Sequence, residues 1–322
     1  MSTRKVQVAV GVIKNPQGEI LIAKRPEDKH MGGLWEFPGG KIEPGESTEM
    51  ALDRELREEV NLTPTRFEKL IRIEHQYPDK HVVLNVLLIT GFSSEAVGRE
   101  GQEIQCVKTE DLNKYIFPEA NKPIIIALKL PRRFLITGQF DSFDDIQSRL
   151  TRAINSGITH MQIRAPWLSG GEYLDLCSAV TSSLNHSNLE LFANAVPDAF
   201  AQTALSNLHL NSQNLTKPRT RSQLPPHKLL SAACHSMEEL SRAEKLGVDF
   251  VFFSPVLATK SHPEHNPQGW QSLTEICQTA KIPVYALGGM AESDIDRAVE
   301  CGAQGIAAIS SLFNGDSVNL PY

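Results

Sequence analysis

The chain has 322 residues, 41% of them hydrophobic and 22% charged, with a formal net charge of −6. That composition belongs to a globular protein with a real core, and the length makes two domains a reasonable expectation. Acids and bases are interspersed and no basic block is present to track a phosphate backbone, which argues against direct DNA or RNA binding; a free nucleotide carried by a cation stays compatible.

The five cysteines, Cys106, Cys177, Cys234, Cys277 and Cys301, are scattered and include no C-x-x-C. This argues against a disulfide framework and a zinc site, and fits a reducing compartment. The opening stretch has no long apolar core, and no later run approaches the ~20 apolar residues of a membrane span. The expectation is a cytoplasmic protein with no membrane partner.

In chain order, residues 5–13 and 19–25 read as a strand pair turned at Asn15-Pro16-Gln17-Gly18. A glycine- and proline-rich loop from Met31 to Gly45 leads into a helix from about Ser47 to Val60. Strand-like runs follow at 67–76 and 81–92, and a short helix from Lys122 to Leu130 closes the segment. Leu130-Pro131-Arg132-Arg133 is the expected boundary, because proline stops the helix and a new pattern begins. The domains are then 1–130 and 131–322.

Beyond the boundary come eight short β-rich runs: Phe134–Thr137, His160–Arg164, Leu189–Asn194, Leu208–Asn211, Leu229–Cys234, Phe250–Ser254, Pro283–Leu287 and Gly305–Ser310. Most are followed by a helix, such as 236–246 or 292–301. Alternation of this kind implies parallel βα units, and eight of them predict a (β/α)8 TIM barrel. The segment is shorter than the ~250 residues usual for that fold, so its helices and loops must be compact.

The densest chemical signal lies in the first segment. Gly40-Lys41-Ile42-Glu43-Pro44-Gly45-Glu46 is followed, after seven residues, by Arg54-Glu55-Leu56-Arg57-Glu58-Glu59-Val60-Asn61-Leu62. Glu55, Glu58 and Glu59 share one side of a helix, while Leu52, Leu56 and Val60 form its apolar stripe. At 100° per residue Glu59 falls about 20° from Leu52, at the edge of the buried side. A solvated acidic face is the bland alternative. It fares poorly, because like charges at this spacing repel and a carboxylate beside a buried stripe needs a partner. Magnesium, bound through carboxylates, water and substrate phosphates, suits the arrangement, and the preceding glycines let backbone come close.

This segment resembles the Nudix box, G-x5-E-x7-R-E-U-x-E-E-x-G-U, departing only at Asn61, where the family has glycine. Asparagine tolerates the left-handed conformation that ends a helix. The resemblance runs over residues 4–130 and is closest to the MutT-type 8-oxo-dGTP diphosphatases, an α/β/α sandwich. Further stretches carrying it are Ala9-Val10-Gly11, His30-Met31, Glu36–Glu43, Tyr77-Pro78-Asp79, Gly98–Gln102 and Phe117–Pro123. It implies that Gly39, Glu55, Glu58, Glu59 and Glu100 surround Mg2+, with Mn2+ as a substitute, and that Glu100 or Glu55 is the general base. It also implies that Arg25 and His30 contact the sugar–phosphate, that Phe37, Asp79 and Asn121 read the base, and that Glu36, Pro38 and Gly39 complete the substrate site. The implied partner is a nucleoside triphosphate, hydrolysed to monophosphate and pyrophosphate in nucleotide-pool sanitation.

Alternatives stay open beside these assignments. Asn121 offers both a donor and an acceptor for an oxidised purine, or it starts the following helix, or both. Glu100 sits in a glycine-rich loop, where a surface glutamate is the default. Lys80 stands where the best-known members carry arginine, and lysine lacks arginine's planar fork.

Several barrel segments resemble thiamine phosphate synthase and its thiazole tautomerase relatives: Phe134–Thr137, Gln162-Ile163-Arg164, Leu208-His209-Leu210, Ser254-Pro255-Val256, Leu287–Met290 and Ala308-Ile309-Ser310. Gly288, Gly289, Ile309 and Ser310 fall after the seventh and eighth strands, where barrels commonly hold phosphate, so a small phosphate ester is the expected ligand. The synthase's metal carboxylates are missing: Asn194-Ala195-Val196 replaces its Asn-Asp-Arg, Asn214 its second aspartate, and Pro166 its lysine. His235 resembles the tautomerase's catalytic histidine, with helix capping as the plain alternative. The remaining readings are a non-catalytic ligand module, an assembly scaffold, or a chain that binds nucleotide or thiamine precursors as a sensor.

Overall fold

The computed structural model describes residues 5–27, 31–78, 80–184, 189–216, 221–225, 228–259 and 266–315. They form two compact units, one built on the residues up to Lys129 and one on those from Leu130 onward apart from 278–281. His30 and Asp79, both expected in the substrate site, lie outside the described residues.

The first unit runs β1 (Lys5–Ile13), β2 (Ile20–Lys24), β3 (Trp35–Glu36), β4 (Gly39–Lys41), α1 (Thr48–Val60), β5 (Thr63–Gln76), β6 (His81–Ser93), β7 (Ile104–Val107) and α2 (Lys122–Lys129). Four strands make a mixed sheet in the order β4-β1-β6-β5, and three make a second, β3-β2-β7. Strand β1 pairs parallel with β6 along its whole length. Its alternating side chains feed two cores. Ala9 and Ile13 pack with Leu52, Leu56 and Val60 of α1, while Val10 and Val12 pack with Ile124, Ile125 and Ala127 of α2. The result is the expected helix–sheet–helix sandwich. Gly11 leaves room for α1, since a Cβ there would lie 3.3 Å from the Leu52 side chain.

The expected strand pair of 5–13 and 19–25 is corrected by the structure. The turn exists, with Gly18 N donating to Asn15 O at 2.9 Å, but a single bridge from Lys14 to Ile20 follows and the strands enter different sheets. Burial explains it. Ala9–Ile13 and Ile20–Ala23 are buried without alternation, so each strand needs cover on both faces, which a two-stranded ribbon cannot provide.

The second unit runs β8 (Arg133–Ile136), α3 (Phe143–Asn155), β9 (His160–Ile163), α4 (Gly170–Ser183), β10 (Glu190–Asn194), α5 (Pro197–Phe200), β11 (Asn207–Leu210), β12 (Leu230–Cys234), α6 (Met237–Lys245), β13 (Phe250–Phe253), α7 (Gly269–Thr279), β14 (Val284–Leu287), α8 (Ile295–Glu300) and β15 (Gly305–Ala308). The eight strands are parallel and close into a barrel, each within two residues of its expected run. Compactness comes from the connections. Helix α5 has four residues, and between β11 and β12 the described residues hold only two short 3-10 turns.

Aromatic rings fill the barrel. Phe134 lies at the centre, with ring centroids of Phe252 at 4.9 Å, Phe192 at 5.2 Å, Tyr285 at 5.6 Å and His160 at 5.9 Å. Aromatics supply large apolar area with defined edge-to-face geometry. Phe134→Ala opens a cavity that such rings cannot close, and the expected loss is about 3–5 kcal/mol of stability, read from urea unfolding of the full chain.

Candidate active site

Helix α1 organises the site of the first unit. Ser47 caps its start, its hydroxyl accepting from Met50 N at 3.2 Å, and Asn61 ends it in the left-handed conformation at φ 60°. Between these ends the carboxylates take different environments. Glu58 is exposed, at 61% of its side-chain surface, whereas Glu55 keeps only 16%. Glu55 lies over Gly40, where a Cβ would come within 2.2 Å of its carboxyl carbon. Glu59 reaches the same strand from the next turn and accepts from Gly39 N at 3.1 Å. A side chain on Gly39 would meet Ala9 O at 2.2 Å, so that glycine is required by close approach, while one on Gly40 would displace the Glu55 carboxyl.

Arg54 orders this face. Its guanidinium donates to both oxygens of Glu46 at 2.9 Å, to Glu55 at 2.7 Å and to Lys41 O at 3.1 Å. The pairing holds the Glu46 carboxyl down to about 2. Among the described residues Glu59 has no such cation. Burial first, and then the neighbouring charges of Glu36, Glu55 and Glu100, push its pKa up to about 8 against the opposing hydrogen bond from Gly39. Burial also raises Glu36, offset by its ion pair with Arg25.

Glu100 enters through backbone contacts. The loop from Val97 to Gln102 docks on the end of α1, with Arg99 N donating to Glu59 O at 2.9 Å and Gln102 Nε2 to the same oxygen at 2.9 Å. Among the described residues no three His, Cys, Asp or Glu side chains already converge into a cage. Magnesium does not require one, since it uses one or two carboxylates with water and substrate phosphates. The donor set fits such an ion: hard oxygens, one on a half-buried carboxyl with three acids around it and no paired cation among the described residues.

Two of the expected base-reading residues, Phe37 and Asn121, lie on the other face. Phe37 is buried and stacks on Phe117 at 5.3 Å between centroids. Pro38 is buried, its carbonyl accepting from Gly11 N at 2.8 Å. Asn121 is 8% exposed and ends a 3-10 turn (Glu119–Asn121), immediately before α2. Its side chain makes no hydrogen bond among the described residues, so it does not cap that helix. Lys80 holds its ammonium 5.6 Å from the Tyr77 ring centroid, recovering part of the ring contact that arginine would make.

In the barrel, His235 follows β12 and is exposed, with Nδ1 2.7 Å from Ser254 O. That contact makes Nδ1 the protonated nitrogen and leaves the Nε2 lone pair free. Gln268 donates to the His235 and Ser254 carbonyls at 3.1 and 2.9 Å, bracing the pair. Ser236, not His235, caps α6. Gly288 and Gly289 both have positive φ, 95° and 68°, and side chains there would strike Pro255 Cα at 2.8 Å and Ala258 O at 2.4 Å. Ile309 and Ser310 follow β15, Ser310 opening a five-residue π turn. Ala195 follows the end of β10 and Asn214 lies in the 3-10 turn (Ser212–Thr216) after β11, and neither brings a carboxylate.

Residues that motif reading passed over contribute to both units. Arg54 and Gln102 were legible only as members of a pattern, since their role is to hold other groups. Gln162 is buried on β9 with its Oε1 unpartnered among the described residues, and Arg164 just beyond is half-buried, with burial lowering its pKa. A polar residue inside an apolar strand was the available signal.

Comparison with known proteins gives two families, in separate stretches. The thiamine monophosphate synthase family matches residues 134–312, and the NUDIX domain family matches residues 9–127. The 8-oxo-dGTP diphosphatase of Escherichia coli is 44% identical over 126 residues, 39% of this chain and 98% of that protein. A thiamine-phosphate synthase 2 of Streptococcus pneumoniae is 26% identical over 188 residues, 58% of this chain and 90% of that protein. The solved thiamine phosphate pyrophosphorylase of Pyrococcus furiosus, at 21% identity and a TM-score of 0.50, covers 62% of this chain and 92% of its own, and shows the fold alone.

The state of Glu59 sets a pH dependence. Its carboxyl titrates near 8 when folded and near 4.5 when exposed, so the folded chain binds the extra proton between those values. Its contribution to stability is therefore complete below about pH 4.5 and lost as pH rises through 8. The expected outcome, read as Tm from pH 5 to 8.5 in EDTA, is a decline with rising pH. Glu59→Gln flattens most of it, and Mg2+ restores the alkaline end by taking the proton's place.

Proposed function

Because the chain belongs to the Nudix-type 8-oxo-dGTP diphosphatase family through its first unit and to the thiamine monophosphate synthase family through its second, we propose that domain 1–130 is a cation-dependent nucleoside triphosphate pyrophosphohydrolase. Its substrate is 8-oxo-dGTP, and its role is cytoplasmic sanitation of the nucleotide pool, with Mg2+ as the working ion. The observation that carries this is the half-buried Glu59 carboxyl, hydrogen-bonded to Gly39, flanked by Glu36, Glu55 and Glu100, with no cation paired to it among the described residues.

A divalent cation, when bound, neutralises the triphosphate and makes water more acidic. The rest falls to this chain's side chains. Glu55 and Glu59, with Glu58 and Glu100 at the rim, hold the ion, while Arg54 keeps Glu55 turned toward Gly40. Glu100 or Glu55 takes the proton from the attacking water. Arg25 and His30 hold the sugar and phosphates. Phe37, Asp79 and Asn121 receive the base, and Glu36 steadies Arg25.

The unpartnered amide of Asn121 supports the oxidised purine as substrate. Such a purine carries a hydrogen on N7 where guanine has a lone pair, so a buried carbonyl oxygen there accepts from the first and opposes the second. An unmet buried polar group is costly enough to discriminate strongly. Wild type is expected to favour 8-oxo-dGTP over dGTP in kcat/KM by orders of magnitude, and Asn121→Ala to narrow that ratio more than it lowers dGTP turnover. A pyrophosphate-release assay reads both, and equal turnover of ordinary dNTPs by wild type would leave only a generic pyrophosphatase.

For domain 131–322 we propose a metal-independent site for a small phosphate ester of the thiazole class. Ala195 and Asn214 stand where the synthase family carries its metal carboxylates, so those two positions offer no acid for the ion a diphosphate leaving group needs. Half-buried Arg164 has no ion-pair partner among the described residues and suits an anion. His235, with its Nε2 free, suits metal-free proton transfer. Calorimetry on the full chain is expected to show thiazole phosphate binding equally in EDTA and in magnesium. Solvent proton exchange into the ligand should vanish in His235→Asn, and formation of thiamine phosphate would overturn the metal argument.

A further inference from the structure

The departure at Asn61 does more than end a helix. Glycine would reach the same left-handed conformation, yet asparagine adds two side-chain bonds that glycine cannot make. Asn61 Oδ1 accepts from Arg99 Nη2, and Asn61 Nδ2 donates to Glu95 O at 3.1 Å. Both partners lie in the loop that carries Glu100.

The same loop satisfies the last carbonyls of α1, which have no partner within the helix. Val97 N donates to Val60 O at 3.0 Å, Arg99 N to Glu59 O at 2.9 Å, and Arg99 Nη1 to Arg57 O at 3.2 Å. Gln102 closes the circuit. Its Nε2 donates to Glu59 O at 2.9 Å and its Oε1 accepts from Glu100 N at 2.8 Å, so one amide joins the backbones of two acids of the proposed metal site. The loop is drawn tight: a Cβ on Gly98 would lie 2.3 Å from Gln102 O. Glu100 itself is exposed, and its carboxylate makes no ion pair or hydrogen bond among the described residues. Its place beside Glu59 therefore depends on how the backbone is held.

We propose that Asn61, Arg99 and Gln102 are positioning residues, a clip that ties the 95–102 loop to the end of α1 and holds Glu100 in place for metal and water. The proposal rests on the pyrophosphohydrolase reading. It assigns to this chain's asparagine, in the family's glycine position, a part in catalysis exerted through Glu100.

The test compares wild type with Asn61→Gly and Asn61→Asp. Glycine keeps the helix end and removes both bonds, so the variant folds; aspartate keeps the acceptor for Arg99. In Asn61→Gly, amide exchange at Arg99 and Glu100 is expected to speed up about tenfold, as for loss of one or two hydrogen bonds. The Mn2+ binding midpoint, followed by electron paramagnetic resonance without nucleotide, should weaken roughly tenfold, in line with other groups that orient metal ligands. The kcat should fall while KM for the nucleotide holds, and Asn61→Asp should recover part of each loss. Faster exchange with an unmoved Mn2+ midpoint and kcat would reduce the clip to a structural cap and overturn the proposal, as would no change at all. A wild type that hydrolyses no nucleotide would sink the pyrophosphohydrolase reading, while the exchange and Mn2+ measurements would still decide the clip.

Discussion

Helix α1 must bury Leu52, Leu56 and Val60 against β1 and at the same time carry carboxylates on the edge of that buried stripe. Those demands conflict, because a desolvated carboxylate is costly and like charges one turn apart repel. The first unit is organised around the conflict. Gly39 and Gly40 clear space so that Glu59 finds a backbone donor and Glu55 can lie flat on the strand. Arg54 pairs with the outer acids and leaves the inner one without a cation among the described residues. What stays unresolved in the protein alone is a concentration of negative charge facing a glycine-lined strand, which a divalent ion with a polyphosphate resolves.

The barrel distributes its polar groups differently. Its interior is an aromatic core around Phe134, and the positions where the synthase family has metal carboxylates hold Ala195 and Asn214. The groups left with chemical potential are a half-buried arginine, a buried glutamine oxygen without a partner, and a histidine oriented by a backbone carbonyl. Such a set is what supports the proposed metal-free anion site. Gly288 and Gly289 are required for steric reasons whatever they bind, because neighbouring backbone and side chain occupy the space a Cβ would need. Their presence says less about phosphate than the arginine does.

Legibility in the sequence followed the range of the interactions involved. The eight barrel strands were readable because each is a short apolar run bounded by its own turn signals, and their parallel order follows from the alternation with helices. The acidic face of α1 was readable because i, i+3 and i+4 spacing is itself geometry. The hairpin expectation failed for β1 and β2, where the turn was right and the pairing wrong. A turn is set by four residues, but the choice of partner is set by which faces must be covered, and that involves β4, β6, β3 and β7.

The amino-acid sequence by itself determined which acids share the face of α1, where the helix begins and ends, and that the synthase-type metal carboxylates are absent from the barrel. Each of these is a matter of spacing or identity within a few residues. Only the tertiary structure decided that Glu59 is half-buried while Glu58 is exposed, that Asn121 carries an amide unpartnered among the described residues, and that the loop of Glu100 is tied to α1 through Asn61, Arg99 and Gln102. Those properties depend on desolvation and on donors supplied from 20 to 43 residues away, which no local pattern records.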